Sequence, residues 1–257
     1  MRIRKLIPGV DANLLVKDAA KLMPDPVRRN FLRGAASLGA LAFLTGCDII
    51  DGDSAEDVLR KVSSFNDGAQ GLLFSRTKLA PTFPESAITR PVPFNAYYSE
   101  DEAPVVDPAT WRLAVSGLVD NKKPWTLDEL HALPEVSQIT RHVCVEGWSA
   151  IGSWQGASLG DFLKRIGADT RAKYVWFRCA EGYSNTIDMA TALHPQTQMT
   201  FKYDNKLLPR AYGFPMKIRM PTKLGYKNPK YVVAMEVTNK DHGGYWENQG
   251  YNWFGGL

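Results

Sequence analysis

Val58, Leu59, Val62 and Phe65 recur at helical spacing, which predicts a short amphipathic helix over residues 55–65. Gly, Pro, Ser and Thr accumulate over 66–90, where an extended connection is expected. Residues 111–119 then alternate apolar and polar positions as a strand does, with Gly117 ending the regular part. Apolar, β-branched runs predict further strands over 136–145, 173–180, 184–187, 199–203, 216–220 and 231–238. Short helices are predicted where a capping residue precedes an apolar stripe. Thr126-Leu127-Asp128-Glu129 is a capping box opening a helix to Leu133, and Ser158-Leu159-Gly160-Asp161 opens one that ends at Ile166 before Gly167. A helical turn is expected over 189–193. Strands outnumber helices, and no strict strand–helix–strand rhythm occurs. The expected class is α+β with a mixed, mostly antiparallel β core. No internal repeat stands out.

Candidate chemistry concentrates in Arg141-His142-Val143-Cys144-Val145-Glu146-Gly147-Trp148-Ser149. On a strand, side chains two apart share a face, so His142, Cys144 and Glu146 would point the same way. A soft thiol beside a carboxyl group, where strand gives way to loop, suits a thiophilic metal or a nucleophile. A buried structural cysteine, or half of a disulfide with Cys179, is the plainer alternative; it would make the chain a binding protein rather than an enzyme. With three cysteines, one bridge is the maximum. The chain has no Gly-rich phosphate loop, G-x-S-x-G, C-x-x-C or H-E-x-x-H. A zinc site at His142 and Cys144 would need two further ligands from afar, and a thiol protease would need His194 or His242 brought close. The proline-stiffened loop Pro91-Val92-Pro93-Phe94-Asn95-Ala96-Tyr97-Tyr98-Ser99 either packs its aromatics on the core or hydrogen-bonds a ligand. The aromatic stretch 243–254 either wraps the core or faces a partner, and wrapping is expected.

Charge changes the picture little. The chain carries 31 Lys/Arg and 27 Asp/Glu, a net of +4. Eight of the basic residues but only three acids fall within residues 1–46, so 23 basic and 24 acidic residues remain beyond them. The excess belongs to the leader, and composition gives no case for nucleic acid. That leader resembles a twin-arginine export signal in Val27-Arg28-Arg29-Asn30-Phe31-Leu32-Arg33, with Val27 where Ser or Thr is usual. Its apolar run is too short to span a bilayer, which takes roughly 20 apolar residues. It closes on Leu44-Thr45-Gly46-Cys47, which resembles a lipobox whose cysteine becomes lipidated, and Asp48 follows as in proteins kept at the inner membrane. The organisation expected is a signal over 1–46, a lipid-anchored tether and lead-in over 47–90, and one oxidoreductase domain over 91–257, in the periplasm. Twin-arginine export carries folded proteins, which hints at a cofactor inserted before transport.

The segment around Cys144, with Trp154-Gln155-Gly156 and Leu159 after it, resembles the cysteine segment of the sulfite oxidase superfamily, and most of all its bacterial periplasmic methionine-sulfoxide reductases. The similarity runs from about residue 94 to 238. It implies a sulfite-oxidase-type molybdopterin-binding domain and a molybdenum ion held by a pterin dithiolene, with Cys144 the protein thiolate on the metal. Glu146, expected on the same strand face, would relay protons, tune access or anchor the loop through a hydrogen bond. The resemblance also implies cofactor contacts. Asn95, Tyr98 and Ser99 match the pterin loop, Ser99 replacing a Glu. Cys179 falls where the family has a Thr near the cofactor. Tyr212 replaces an Asn, and Lys217 an Arg that binds the pterin phosphate, supplying charge without the bidentate fork. Asn228, Pro229 and Lys230 match the phosphate-side loop, while Lys223 reads as a solvated surface charge. Sulfite oxidases bind their anion with an arginine in an Arg-Asn-His loop; here the loop reads Phe94-Asn95-Ala96. The resemblance therefore implies S-oxide reduction, with oxidation of sulfite or another small sulfur compound as the alternative. No heme-attachment motif occurs, so a separate membrane heme b subunit is the implied electron partner.

Overall fold

The computed structural model describes residues 52–257. The twin-arginine leader, the lipobox with Cys47, and Asp48 lie outside the described residues. The chain divides into two compact units, 1–59 and 60–257, and the site lies wholly in the second.

Helix α1 (Gly52–Leu73) is longer than the expected 55–65. Gly68 and Gly71 hide its last two turns from a sequence reading, because glycine is a poor helix former. Tertiary hydrogen bonds support those turns: Asp67 Oδ1 accepts from the backbone of Phe254 (2.8 Å) and Gln70 Oε1 from that of Gly256 (3.0 Å). The extended connection therefore starts only after Leu73.

Ten strands follow: β1 (Arg112–Gly117), β2 (Trp125–Thr126), β3 (Glu135–Val143), β4 (Ser149–Ser158), β5 (Tyr174–Cys179), β6 (Ser184–Asp188), β7 (Gln198–Tyr203), β8 (Lys206–Leu207), β9 (Lys217–Arg219) and β10 (Val232–Thr238). One sheet has the order β2-β1-β10-β5-β6; the other runs β3-β4-β7-β8, with β9 paired to β7. Among the described residues only β1 and β10 pair in parallel, so the expected α+β class with a mostly antiparallel core holds. Between strands sit α2 (Leu127–His131), α3 (Leu159–Arg165) and α4 (Met189–Ala192). The caps are those the sequence announces. Thr126 and Glu129 close a reciprocal box, and Ser158 accepts from the Asp161 amide.

β4 was not expected. Its ten residues include Ala150, Gly152, Ser153, Gly156 and Ala157, a composition of low strand propensity. Packing requires small residues there. A Cβ on Gly156 would lie 1.9 Å from the Met199 carbonyl of β7. The main core contains Leu113, Leu163, Phe177, Ile218 and Val237, all fully buried. A smaller cluster of Val92, Ala150, Trp154, Tyr203 and Leu208 backs the 92–98 loop.

Candidate functional site

β3 and β4 pair without a slip from Glu135↔Ala157 to Val143↔Ser149, so the chain reverses through Cys144-Val145-Glu146-Gly147-Trp148. The turn is closed by the Cys144 amide on the Trp148 carbonyl (2.9 Å) and the Gly147 amide on the Cys144 carbonyl (3.2 Å). β5 and β6 are joined in the same way. The Cys179 amide bonds the Tyr183 carbonyl (2.9 Å), and the Gly182 amide bonds the Cys179 carbonyl (3.2 Å). Gly147 and Gly182 take φ of +93° and +85°, a conformation that favours glycine. The two turns read Cys-Val-Glu-Gly-Trp-Ser and Cys-Ala-Glu-Gly-Tyr-Ser. This is an internal repeat after all, six residues long, one copy on each sheet.

Both turns border one cleft of about 980 Å³, counting its open mouth. The 92–98 loop, β4, β9, the 225–230 loop and the C-terminal stretch supply its other walls. Of the residues singled out in the sequence, Asn95, Tyr98, Cys144, Glu146, Tyr212, Lys217, Asn228, Pro229 and Lys230 come together in its lining. Ser99 does not; its hydroxyl donates to Glu102 (2.8 Å) at the start of a 3-10 turn. Cys179 is buried outside the lining. Both Cys144 and Cys179 are free thiols, so the disulfide alternative falls.

Cys144 is 4 % exposed, and burial is the main reason its thiol is pushed up. Asn95 Nδ2 donates to its Sγ at 3.0 Å. Of the three residues expected on one strand face, only His142 lies on β3, which ends at Val143; Cys144 opens the turn and Glu146 sits within it. There the acid is exposed, accepts from Trp148 Nε1 (3.0 Å), and lies 3.6 Å from the thiol. Strand alternation fails at Val143 because the hairpin turns there.

The cleft lining carries two lysines, Lys217 and Lys230, and two glutamates, Glu146 and Glu181. Lys217 is 5 % exposed and has neither a hydrogen bond nor a carboxylate among the described residues; its ammonium lies 5.0 Å from the centre of the Trp154 ring. Burial, then Lys230 and Arg219, push Lys217 well below the usual lysine range. Arg219, fully buried, donates to the Arg141 carbonyl (2.6 Å), Thr140 (3.3 Å) and Asn228 Oδ1 (3.1 Å). Asn228 thus braces Arg219 rather than offering a free amide to a ligand. Tyr212 donates to the Val92 carbonyl (2.9 Å) and holds the loop. Lys230 donates to the carbonyls of Asn95 (2.8 Å) and Ala211 (3.1 Å), and burial brings its ammonium down to about 8. His142 is driven well below its usual range by burial and then by Arg219, Lys217 and Lys230, so it is neutral, with Nδ1 buried and unpartnered.

Sequence reasoning missed Tyr97, Trp154, Glu181, Tyr183, Trp246 and Tyr251, all in the lining. Tyr97 stacks on Tyr245 with ring centres 4.6 Å apart, so the C-terminal stretch forms a wall of the cleft as well as covering the core. The repeat at 179–184 was the signal that could have found Glu181 and Tyr183. Lys223 was misplaced too. It is 1 % exposed and donates to the Phe254 carbonyl at 2.9 Å, its stem buried in a way no local pattern foretells.

The family model for the oxidoreductase molybdopterin-binding domain matches residues 100–246. The chain belongs to this family. It is 62 % identical over 240 residues to a provisionally named protein-methionine-sulfoxide reductase subunit, YedZ1, of Azospira oryzae, covering 93 % of this chain and 92 % of that protein. It is 30 % identical over 164 residues to the protein-methionine-sulfoxide reductase catalytic subunit of Ralstonia nicotianae, covering 58 % of this chain but only 50 % of that one. Among solved structures, the sulfane dehydrogenase SoxCD of Paracoccus pantotrophus superposes with a TM-score of 0.51 at 17 % identity, over 54 % of this chain and 40 % of that chain. That match speaks for the sulfite-oxidase-type fold alone.

The chain is accordingly a molybdenum–molybdopterin oxidoreductase. The residues present fit that group. A polyanionic pterin phosphate answers a wall whose buried cation, Lys217, lacks a counter-ion. Neutral polar atoms such as His142 Nδ1 suit a heterocycle, and Cys144 offers an unbridged, soft sulfur. Lys217→Met is therefore expected to leave the cofactor-free protein no less stable, because a buried uncompensated ammonium is costly. It should lower cofactor retention by roughly tenfold or more, the worth of one charge-assisted hydrogen bond. Molybdenum per chain after desalting, with a thermal midpoint of the cofactor-free protein, reads both effects.

Proposed function

We propose that this oxidoreductase works in the cell envelope and reduces S-oxides, methionine sulfoxide in proteins above all, with electrons from a membrane heme b subunit. The mouth of the cleft carries the reading. Tyr97, Trp246 and Tyr251 line the cleft, Phe94 stands where the Arg-Asn-His loop of sulfite oxidases has its anion-binding arginine, and the cation without a counter-ion, Lys217, lies in the buried wall. A thioether oxide is a neutral dipole with apolar arms, and aromatic rings accept it without the desolvation cost of a dianion. The names of the Azospira and Ralstonia relatives support the same substrate class.

In this reading Cys144 ligates the molybdenum, with Asn95 hydrogen-bonded to its sulfur. Lys217 and Lys230 hold the pterin phosphate, and neutral His142 hydrogen-bonds the pterin. When bound, the cofactor supplies two-electron oxygen-atom exchange. The aromatic mouth orients the substrate's apolar arms and excludes bulk water.

The test is turnover of molybdenum-loaded protein, followed as oxidation of reduced viologen when a methionine-sulfoxide peptide is added. Rapid oxidation is expected. No oxidation, with molybdenum confirmed in the sample, overturns S-oxide reduction for that substrate and favours oxidation of a small sulfur compound. Residues 1–46 act as the twin-arginine signal, Cys47 carries lipid at the inner membrane, 47–90 is the lipid-anchored tether and lead-in, and 91–257 the catalytic domain. Cys47→Ala should then abolish incorporation of labelled palmitate and release the protein from the membrane fraction.

A further inference from the structure

The second hairpin turn has no assigned task, although it copies the first. Its acid, Glu181, lines the same cleft. The two acids are placed differently. Glu146 is exposed and engaged with the Trp148 indole. Glu181 is shielded, and its Oε2 is buried without a hydrogen-bond partner. Tyr97, at the mouth, donates to the Glu181 backbone carbonyl (3.1 Å) and so ties that turn to the substrate side of the cleft. The groups that face Glu181 are Lys230, Cys179 and the hydroxyls of Tyr97, Tyr98, Tyr183 and Tyr231. Lys230 is the only cation among them, and it is already shared between two backbone carbonyls.

We infer that Glu181, not Glu146, is the carboxylic acid that protonates the departing oxygen of the substrate. The inference rests on the S-oxide reading. In the overall reaction the S–O bond breaks and the sulfoxide sulfur is reduced to a sulfide by two electrons from the external donor, a heme b subunit or reduced viologen. The oxygen takes two protons and leaves as water. Glu181 gives one of these protons and recovers it from solvent; water supplies the other. Burial raises the Glu181 carboxyl to about 7. A raised acid is protonated below that value, so the donor form is present at neutral pH and is lost as pH rises through it.

The experiment uses the molybdenum-loaded enzyme and its Glu181→Gln and Glu181→Asp variants, with reduced viologen and a methionine-sulfoxide peptide. In the wild type, kcat should fall about tenfold per pH unit above roughly 7. Glu181→Gln should lower kcat about a hundredfold with KM changed less than about twofold, and should lose that alkaline limb. Glu181→Asp should keep the limb at reduced kcat, and it carries the test if the Gln variant loads no molybdenum. A second readout needs neither cofactor nor turnover. Infrared titration of the cofactor-free protein should show a protonated carboxyl band lost as pH rises through about 7, and absent from Glu181→Gln. Wild-type kcat and pH profile in Glu181→Gln, or a carboxyl band titrating in the ordinary carboxylate range, overturns the assignment. If the loaded wild type itself does not oxidise viologen with the sulfoxide, the S-oxide reading falls instead, and the infrared titration still reports on Glu181 by itself.

Discussion

Cys144→Ala is expected to abolish S-oxide turnover, a loss well beyond the roughly 10- to 100-fold that follows removal of a group merely supporting a metal ligand. The fold should survive. The side chain is 4 % exposed and small, so truncation to alanine leaves a minor void, costing about 1 kcal/mol. The turn does not depend on the thiol, because its closing bonds are backbone to backbone. What is lost is the one free sulfur in the cleft lining, held by the Asn95 amide at 3.0 Å. Cys144→Ser separates geometry from softness, since it preserves the size and the hydrogen bond but offers a hard oxygen. Both variants should therefore be inactive in the viologen assay, with circular dichroism and thermal midpoint close to wild type. Full turnover in Cys144→Ala would remove the residue from the reaction altogether.

Lys227→Met is expected to be the most destabilising single change away from the reacting centre, at about 3–5 kcal/mol. Lys227 and Glu247 form an ion pair whose side chains are 1 % and 4 % exposed. Lys227 also donates to the Thr186 carbonyl (2.8 Å), and Glu247 accepts from Asn185 (2.7 Å). Removing the ammonium leaves a buried carboxylate with only an amide to answer it, a far greater cost than losing a surface pair. For a unit of this size each kcal/mol moves the thermal midpoint by roughly 2–4 °C, so a fall of about 6–20 °C is expected. The double change Lys227→Met with Glu247→Leu should recover most of it, because no charge is left buried. Equal midpoints for the single and double variants would show that the pair is not the source. The effect should also reach the cleft. Glu247 follows Trp246, a residue of its wall, so loosening this anchor should raise KM for the sulfoxide peptide.

Local signals were legible wherever the physics is local. Thr126/Glu129 and Ser158 announce their helices because capping satisfies amides within one turn. Cys144 stands out because few roles call for a thiol, an acid, a glycine and an indole in one short run. β4 escaped notice because its glycines answer crowding rather than strand preference, Gly156 facing the Met199 carbonyl of β7 and Gly152 the Trp154 ring of β4 itself. Lys223 and Lys227 look like surface charges in the chain, and only long-range packing shows them buried. Glu181 hid in a six-residue copy of the motif that had already drawn attention, since a repeat that short gains meaning only when both copies border one space.

By itself, the sequence determined the α+β class, the order of most elements, the helix caps and the cysteine at the heart of the cleft. All of these depend on residues close together along the chain. Tertiary structure alone decided which side chains share the cleft, which of two similar acids is exposed and which is shielded, and where the lysines find or lack partners. Those properties depend on burial and charge summed over segments as far apart as residues 95, 144, 181, 230 and 246, a sum that no window of the chain contains.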